Sequence, residues 1–139
     1  MTVMVIATAW LVVCAVFDLL TPAHVPGYIT WPGVFIALGL RLTGVLVAPW
    51  WQIGIVFAMS VSLWMRGVLG AADSRGWLVI TAVGGLSGFA WATLGAAAFL
   101  PIYRRLRPGV NVPGFPGYAL GFAAWVLTSM AYVHIIGTG

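Results

Sequence analysis

Thr2-Val3-Met4-Val5-Ile6-Ala7-Thr8-Ala9-Trp10-Leu11-Val12-Val13-Cys14-Ala15-Val16-Phe17-Asp18-Leu19-Leu20 holds one charged side chain, Asp18, two residues before its end. A helix crossing the hydrocarbon core of a bilayer needs about 20 apolar residues, so this run reads as a first membrane span. It is apolar at once, with neither a basic leading region nor a small-residue cleavage site. We therefore expect a retained span rather than a removed signal peptide. The remaining sequence has the same character. The chain of 139 residues is 63% hydrophobic and 6% charged, with a mean hydropathy of +1.10. A soluble domain carries about 25% charged residues, and this chain lacks the polar groups to cover a water-facing surface. The expected fold is all-α: one integral-membrane domain over residues 1–139, a polytopic helix bundle of about five spans.

The segments follow in order. Thr21 to Tyr28 reads as a loop, because Pro22, Pro26 and Gly27 oppose a regular helix. Pro32 is expected to open segment two, which runs to about Val47. Arg41 lies inside that segment and reads as a side chain snorkelling toward headgroups, or as a partner within the bundle. Pro49-Trp50-Trp51 is an interfacial turn, and segment three covers about Trp51 to Met65. Segment four covers about Gly76 to Tyr103, with Gly84, Gly88, Ala92 and Ala96 forming a small-residue seam for a close neighbouring helix. A proline- and glycine-rich loop follows, and segment five covers about Gly117 to Ile136.

Charge placement sets a topological puzzle. All six cationic residues are arginines, giving a net charge of +4. Arg66 and Arg75 flank one junction; Arg104, Arg105 and Arg107 mark another. The positive-inside rule places both in the cytoplasm, yet a single straight segment four puts them on opposite sides. A break at Gly84-Gly85 would give six segments, the one after Asp73 being a short, half-depth re-entrant helix screened from lipid by its neighbours. The sequence leaves both arrangements open. The arginines read as topological and lipid-facing, so membrane lipid is an expected partner and nucleic acid is not. Cys14, the only cysteine, reads as a buried structural thiol, and no Cys/His pattern calls for a metal or other cofactor. The eight tryptophans read mostly as an interfacial belt.

Asp18 and Asp73 are the only acids in the chain. A carboxylate at the edge of a membrane segment is costly and points to function. Two carboxylates held close do not both ionise easily, so one stays protonated while the other serves as a base. Such a pair can activate water and protonate a carbonyl, which is amide hydrolysis. A proton relay in a small proton- or ion-coupled carrier is a further alternative. Glycines before Asp73 allow unusual backbone angles and close approach of a substrate strand. His24, six residues beyond Asp18, reads as a solvated or loop-capping side chain.

Three stretches, in order, carry a resemblance. They are Phe17-Asp18-Leu19 with Val25-Pro26 and Tyr28-Ile29-Thr30-Trp31-Pro32-Gly33, then Gly70-Ala71-Ala72-Asp73-Ser74-Arg75, then Val112-Pro113-Gly114-Phe115-Pro116-Gly117-Tyr118. Together they resemble the type IV prepilin peptidases, membrane aspartyl proteases of the Gly-x-Gly-Asp type, in their short form without a cysteine-rich methyltransferase domain. The resemblance implies an aspartic endopeptidase of the type IV pilus and secretion systems. It would sit in a prokaryotic cytoplasmic membrane with its active site at the cytoplasmic face. The substrate would be a prepilin-like protein that loses a short basic leader. Asp18 and Asp73 would be catalytic, with Gly70, Ala72, Arg75, Pro113 and Pro116 as substrate or loop residues. The chain departs from the family pattern in Ala72, which replaces the second glycine and takes positive φ only at a cost. Arg75 replaces a lysine, and the loop after Asp18 is one residue longer. A homologue that binds such substrates or aids assembly without cutting them is the alternative.

Overall fold

The computed structural model describes residues 2–21, 25–46 and 48–137, the side chains of 135–137 aside. His24 therefore lies outside the described residues. The fold is all-α: α1 (Thr2–Leu20), α2 (Gly27–Leu42), α3 (Trp50–Met65), α4 (Ala71–Leu106) and α5 (Phe115–Gly137), with no strand among the described residues. Two of the helices, α1 and α4, are long and apolar enough to cross a membrane.

Helix α2 departs most from expectation. It begins at Gly27, with Pro26 extended at its N-cap, and Pro32 lies inside it. An internal proline leaves a carbonyl without its helical donor and pushes the preceding turn open. The carbonyl released by Pro32 is that of Tyr28; one residue on, in the same opened turn, the Trp10 indole on α1 donates to the Ile29 carbonyl at 3.1 Å. Gly33 provides the room, since a Cβ there would lie 2.6 Å from the Trp10 ring. The helix stops at Leu42, short of the expected end, because Gly44 turns left-handed at φ 77°. The Gly44 and Val45 amides return to the Arg41 and Leu40 carbonyls, which completes a Schellman stop. Arg41 does not snorkel freely: its Nε donates to the Ala48 carbonyl at 2.6 Å and its guanidinium stacks on Trp50. It clasps the α2–α3 connection. Gly67, at φ 70°, stops α3 in the same way.

Helix α4 starts at Ala71 rather than near Gly76, which places Asp73 in its first turn and not in a loop. An acid there is favoured by the helix dipole. The helix then breaks at Gly85, whose φ of 61° and ψ of −162° are open essentially to glycine alone. The two arms fold back on each other. The Trp77 and Phe89 rings meet edge-on at 5.0 Å, whereas twelve residues of straight helix would separate them by about 18 Å. The first arm runs beside α5 in the same direction, with Gly76 against Phe115 and Gly84 against Phe122. The second arm runs against it, with Trp91 and Ala92 at Gly121 and Ala96 at Gly117. The arginines before and after α4 thus lie at one end of the bundle. The turn of the first arm reaches Gln52, in the first turn of α3, so the arm matches the length of α3.

That turn is capped from another helix. The Gln52 Oε1 accepts the Leu86 N–H at 3.0 Å, satisfying a donor that the break releases. Of the small-residue seam, Ala92 and Ala96 meet the α5 backbone at Gly121 and Gly117, whereas Gly84 and Gly88 make room for the Phe122 and Trp125 rings; Gly95, outside that spacing, also abuts the α5 backbone. Trp10 and Trp77 are core residues rather than part of an interfacial belt. Gly85→Ala should destabilise the fold by about 1–3 kcal/mol through backbone strain, because its Cβ would also fall 2.7 Å from the Gln52 Oε1. Gly39→Ala, helical and with open space around its Cβ, should leave stability unchanged or slightly higher. Thermal unfolding in detergent micelles measures both.

Candidate active site

Asp18 and Asp73 belong to different helices and line one cavity of about 640 Å³ at the end of the bundle where α1 finishes and α4 begins. Its wall is completed by Val25 and Gly27 before and at the start of α2, by Gly67, Val68, Gly70, Ala71, Ala72 and Arg75, and by Asn111, Val112, Gly114 and Phe115. Every segment that the sequence singled out contributes to it.

Asp18 is buried, with 4% of its surface exposed. A buried carboxylate needs hydrogen-bond donors, and it obtains one from the Phe115 N–H at 3.1 Å. Phe115 is the first residue of α5, so the carboxylate meets a helix N-terminus whose amides lack internal partners. The Phe115 ring is fully buried, edge-on to Trp10 and to Tyr118, and a Cβ at Gly76 would lie 2.9 Å from it. The ring locks the amide in place. Pro113 and Pro116, on either side, are buried, and Pro116 sits in the first turn of α5, where its missing N–H costs nothing.

Asp73 is held between two glycines. A Cβ at Gly70 would lie 2.9 Å from its Oδ2, and one at Gly114 would lie 2.6 Å from its Oδ1. Gly70 has an ordinary extended backbone, φ −71° and ψ 152°. Its use is therefore space for the carboxylate, not conformational freedom. Gly114 and Phe115 are adjacent, so the peptide joining them touches both acids. Chaining those contacts through standard bond lengths brings the nearest carboxylate oxygens to within about 10 Å. The two groups are near enough to act on each other electrostatically.

Arg75 turns away from Asp73. Its Nη1 donates to the Thr30 hydroxyl at 3.0 Å and its guanidinium lies over the Trp31 ring at 4.6 Å. It borders the cavity without pairing with either acid. Ala72 is helical and half-buried against the core. Alanine suits that position, and the replacement of glycine there brings no backbone strain. Among the described residues no group of three His, Cys, Asp or Glu side chains is placed to hold a metal ion.

Two neighbours of the acids were not legible as such. Tyr118 is buried, with its ring edge 3.1 Å from where a Gly114 Cβ would stand. Trp77 stands edge-on to it at 6.4 Å, with its buried indole N–H on the same side of the core as the phenol. Only the four-residue spacing of Gly114 and Tyr118 could have indicated that the phenol would flank Asp73. No family model matches the chain, and neither a curated protein nor a solved structure does.

Asp18→Leu should leave the Phe115 N–H buried without an acceptor, at about 1–3 kcal/mol. Asp18→Asn keeps an acceptor oxygen and should cost less. Denaturant unfolding of the two purified variants distinguishes them.

Proposed function

We propose that this chain is a multi-pass membrane aspartyl endopeptidase of the prepilin peptidase type, cutting the leader from a pilin-like precursor with Asp18 and Asp73. One observation carries the reading: the only two acids of the chain, 55 positions apart by their numbering, border one cavity and contact one peptide, Gly114–Phe115. No other pair of residues in the chain could divide acid and base roles between carboxyl groups.

The outer surface supports the membrane setting. Ile6, Val13, Phe35, Ile36, Ile55, Leu94, Leu120 and Leu127 are all exposed. In water such a surface would drive association; in lipid it is solvated. Besides α1 and α4, the remaining helices then also lie in the bilayer, and the two arms of α4 make six crossing segments. The folded-back α4 puts Arg66, Arg75 and the Arg104–Arg107 cluster at the cavity end, which the positive-inside rule assigns to the cytoplasm. The site would then meet the leader where it leaves the membrane.

The chemistry needs water and the two acids. One carboxylate takes a proton from water as its oxygen adds to the scissile carbonyl carbon. The other, protonated, gives its proton to the carbonyl oxygen. Collapse of the tetrahedral intermediate breaks the C–N bond, and a proton passes to the departing amine. The Phe115 amide fixes the orientation of Asp18 throughout, and the α5 N-terminus favours negative charge beside it.

Asp18→Asn and Asp73→Asn should each lower leader cleavage by at least about 10²-fold, read by the size shift of a pilin precursor in membranes. Wild-type cleavage by both variants would contradict the assignment. Loss of a proton-coupled flux in these variants, with no cleavage by the parent chain, would mark a carrier instead.

A further inference from the structure

We infer that the trench between α2 and α3 is the docking site for the apolar helix of a membrane-anchored substrate, and that it delivers the end of that helix to the aspartate cavity. The inference rests on the peptidase reading and extends it to how the substrate is held. Although consecutive in the chain, α2 and α3 do not lie side by side: apart from the Arg41 stack on Trp50 at one end and the shared core beneath them, each packs on α4. The space between them is a trench of about 600 Å³ floored by the first arm of α4.

Its shape fits a helix. One wall is a continuous stripe of α3, Trp50, Ile53, Gly54, Phe57, Val61 and Trp64, at the three- and four-residue steps of a single helical face. The facing wall is Trp31, Val34 and Leu38 of α2, at the same kind of step. From Trp50 to Trp64 the stripe is roughly 21 Å long, most of the depth of a hydrocarbon core. Gly54 opens the middle of it: a Cβ there would meet no atom within 4 Å. A glycine in such a stripe admits the close backbone approach by which helices associate in lipid.

Continuity with the candidate active site selects the occupant. Ala71 and Arg75 border both the trench and the aspartate cavity. Arg75, fixed by Thr30 and Trp31, forms the sill between them. A helix seated in the trench therefore ends beside Asp73. Its next residues, free of helical hydrogen bonds, enter the cavity in the extended form that a peptidase requires.

The test uses a model precursor with a basic leader followed by a single leucine-rich span. In a Cys14→Ala background, Gly54→Cys should cross-link to a cysteine in that span at least about tenfold more than Leu127→Cys, which is exposed on α5. Equal cross-linking at both positions, or none at position 54, would mean that lipid fills the trench and would overturn the inference. This readout does not need cleavage, so it separates docking from the peptidase reading. In a second arm, Gly54→Leu should reduce cleavage of the anchored precursor at least about tenfold more than cleavage of a soluble peptide covering the scissile bond. Equal effects on both would also overturn it.

Discussion

The hydrogen bond from the Phe115 amide to the Asp18 carboxylate joins residues 97 apart in the chain. Each group solves a problem for the other. A carboxylate buried at the end of α1 needs a donor, and the first amide of α5 needs an acceptor. The bond fastens the loop before α5 over the end of α1. Gly114 then sits against Asp73, and the second acid is brought to the same peptide. The buried Phe115 ring and Pro113 hold the same loop by packing, so the bond sets the aim of the amide within a segment that the core also fixes.

The reversal of α4 is the second condition. A straight helix of 36 residues would be about 54 Å long and would carry the loop before α5 far from Asp73. The turn at Gly85 returns it. Glycine permits the turn, and Gln52 closes the hydrogen bond that the turn opens. The seam of Gly117 and Gly121 against Trp91, Ala92 and Ala96 then holds the second arm to α5 at backbone contact. Site and seam are thus coupled through one helix: α5 presents Phe115 to Asp18 at its start and receives the returning arm along its next two turns.

Much of this was legible because the chain is so sparing with polar residues. Two acids among 139 residues drew attention at once, and the glycine pair at Gly84-Gly85 marked where a long apolar segment could break. The small-residue spacing pointed to a close helical neighbour. What failed had local signals that tertiary contacts override. Pro32 reads as a helix start, yet the Trp10 indole supports a helix that runs through it. Trp77, at the edge of its expected segment, fits the interfacial belt by position but fills the core. Gln52 carried no signal, since its partner lies 34 residues away and nothing in its own segment refers to it. Ala72 looked like damage to a motif whose glycine supplies unusual angles, but the residue is helical, and it is Gly70 and Gly114 that make room for Asp73.

The central claim is that the two acids face one cavity. The most direct test places cysteines at positions 18 and 73 in a Cys14→Ala background and treats native membranes with a bifunctional thiol reagent spanning about 10 Å, the outer limit set by the chained contacts. The account predicts an internal cross-link between the two positions, detected by mass spectrometry of the joined peptides. Reaction of each cysteine alone, with no joined product, would contradict it.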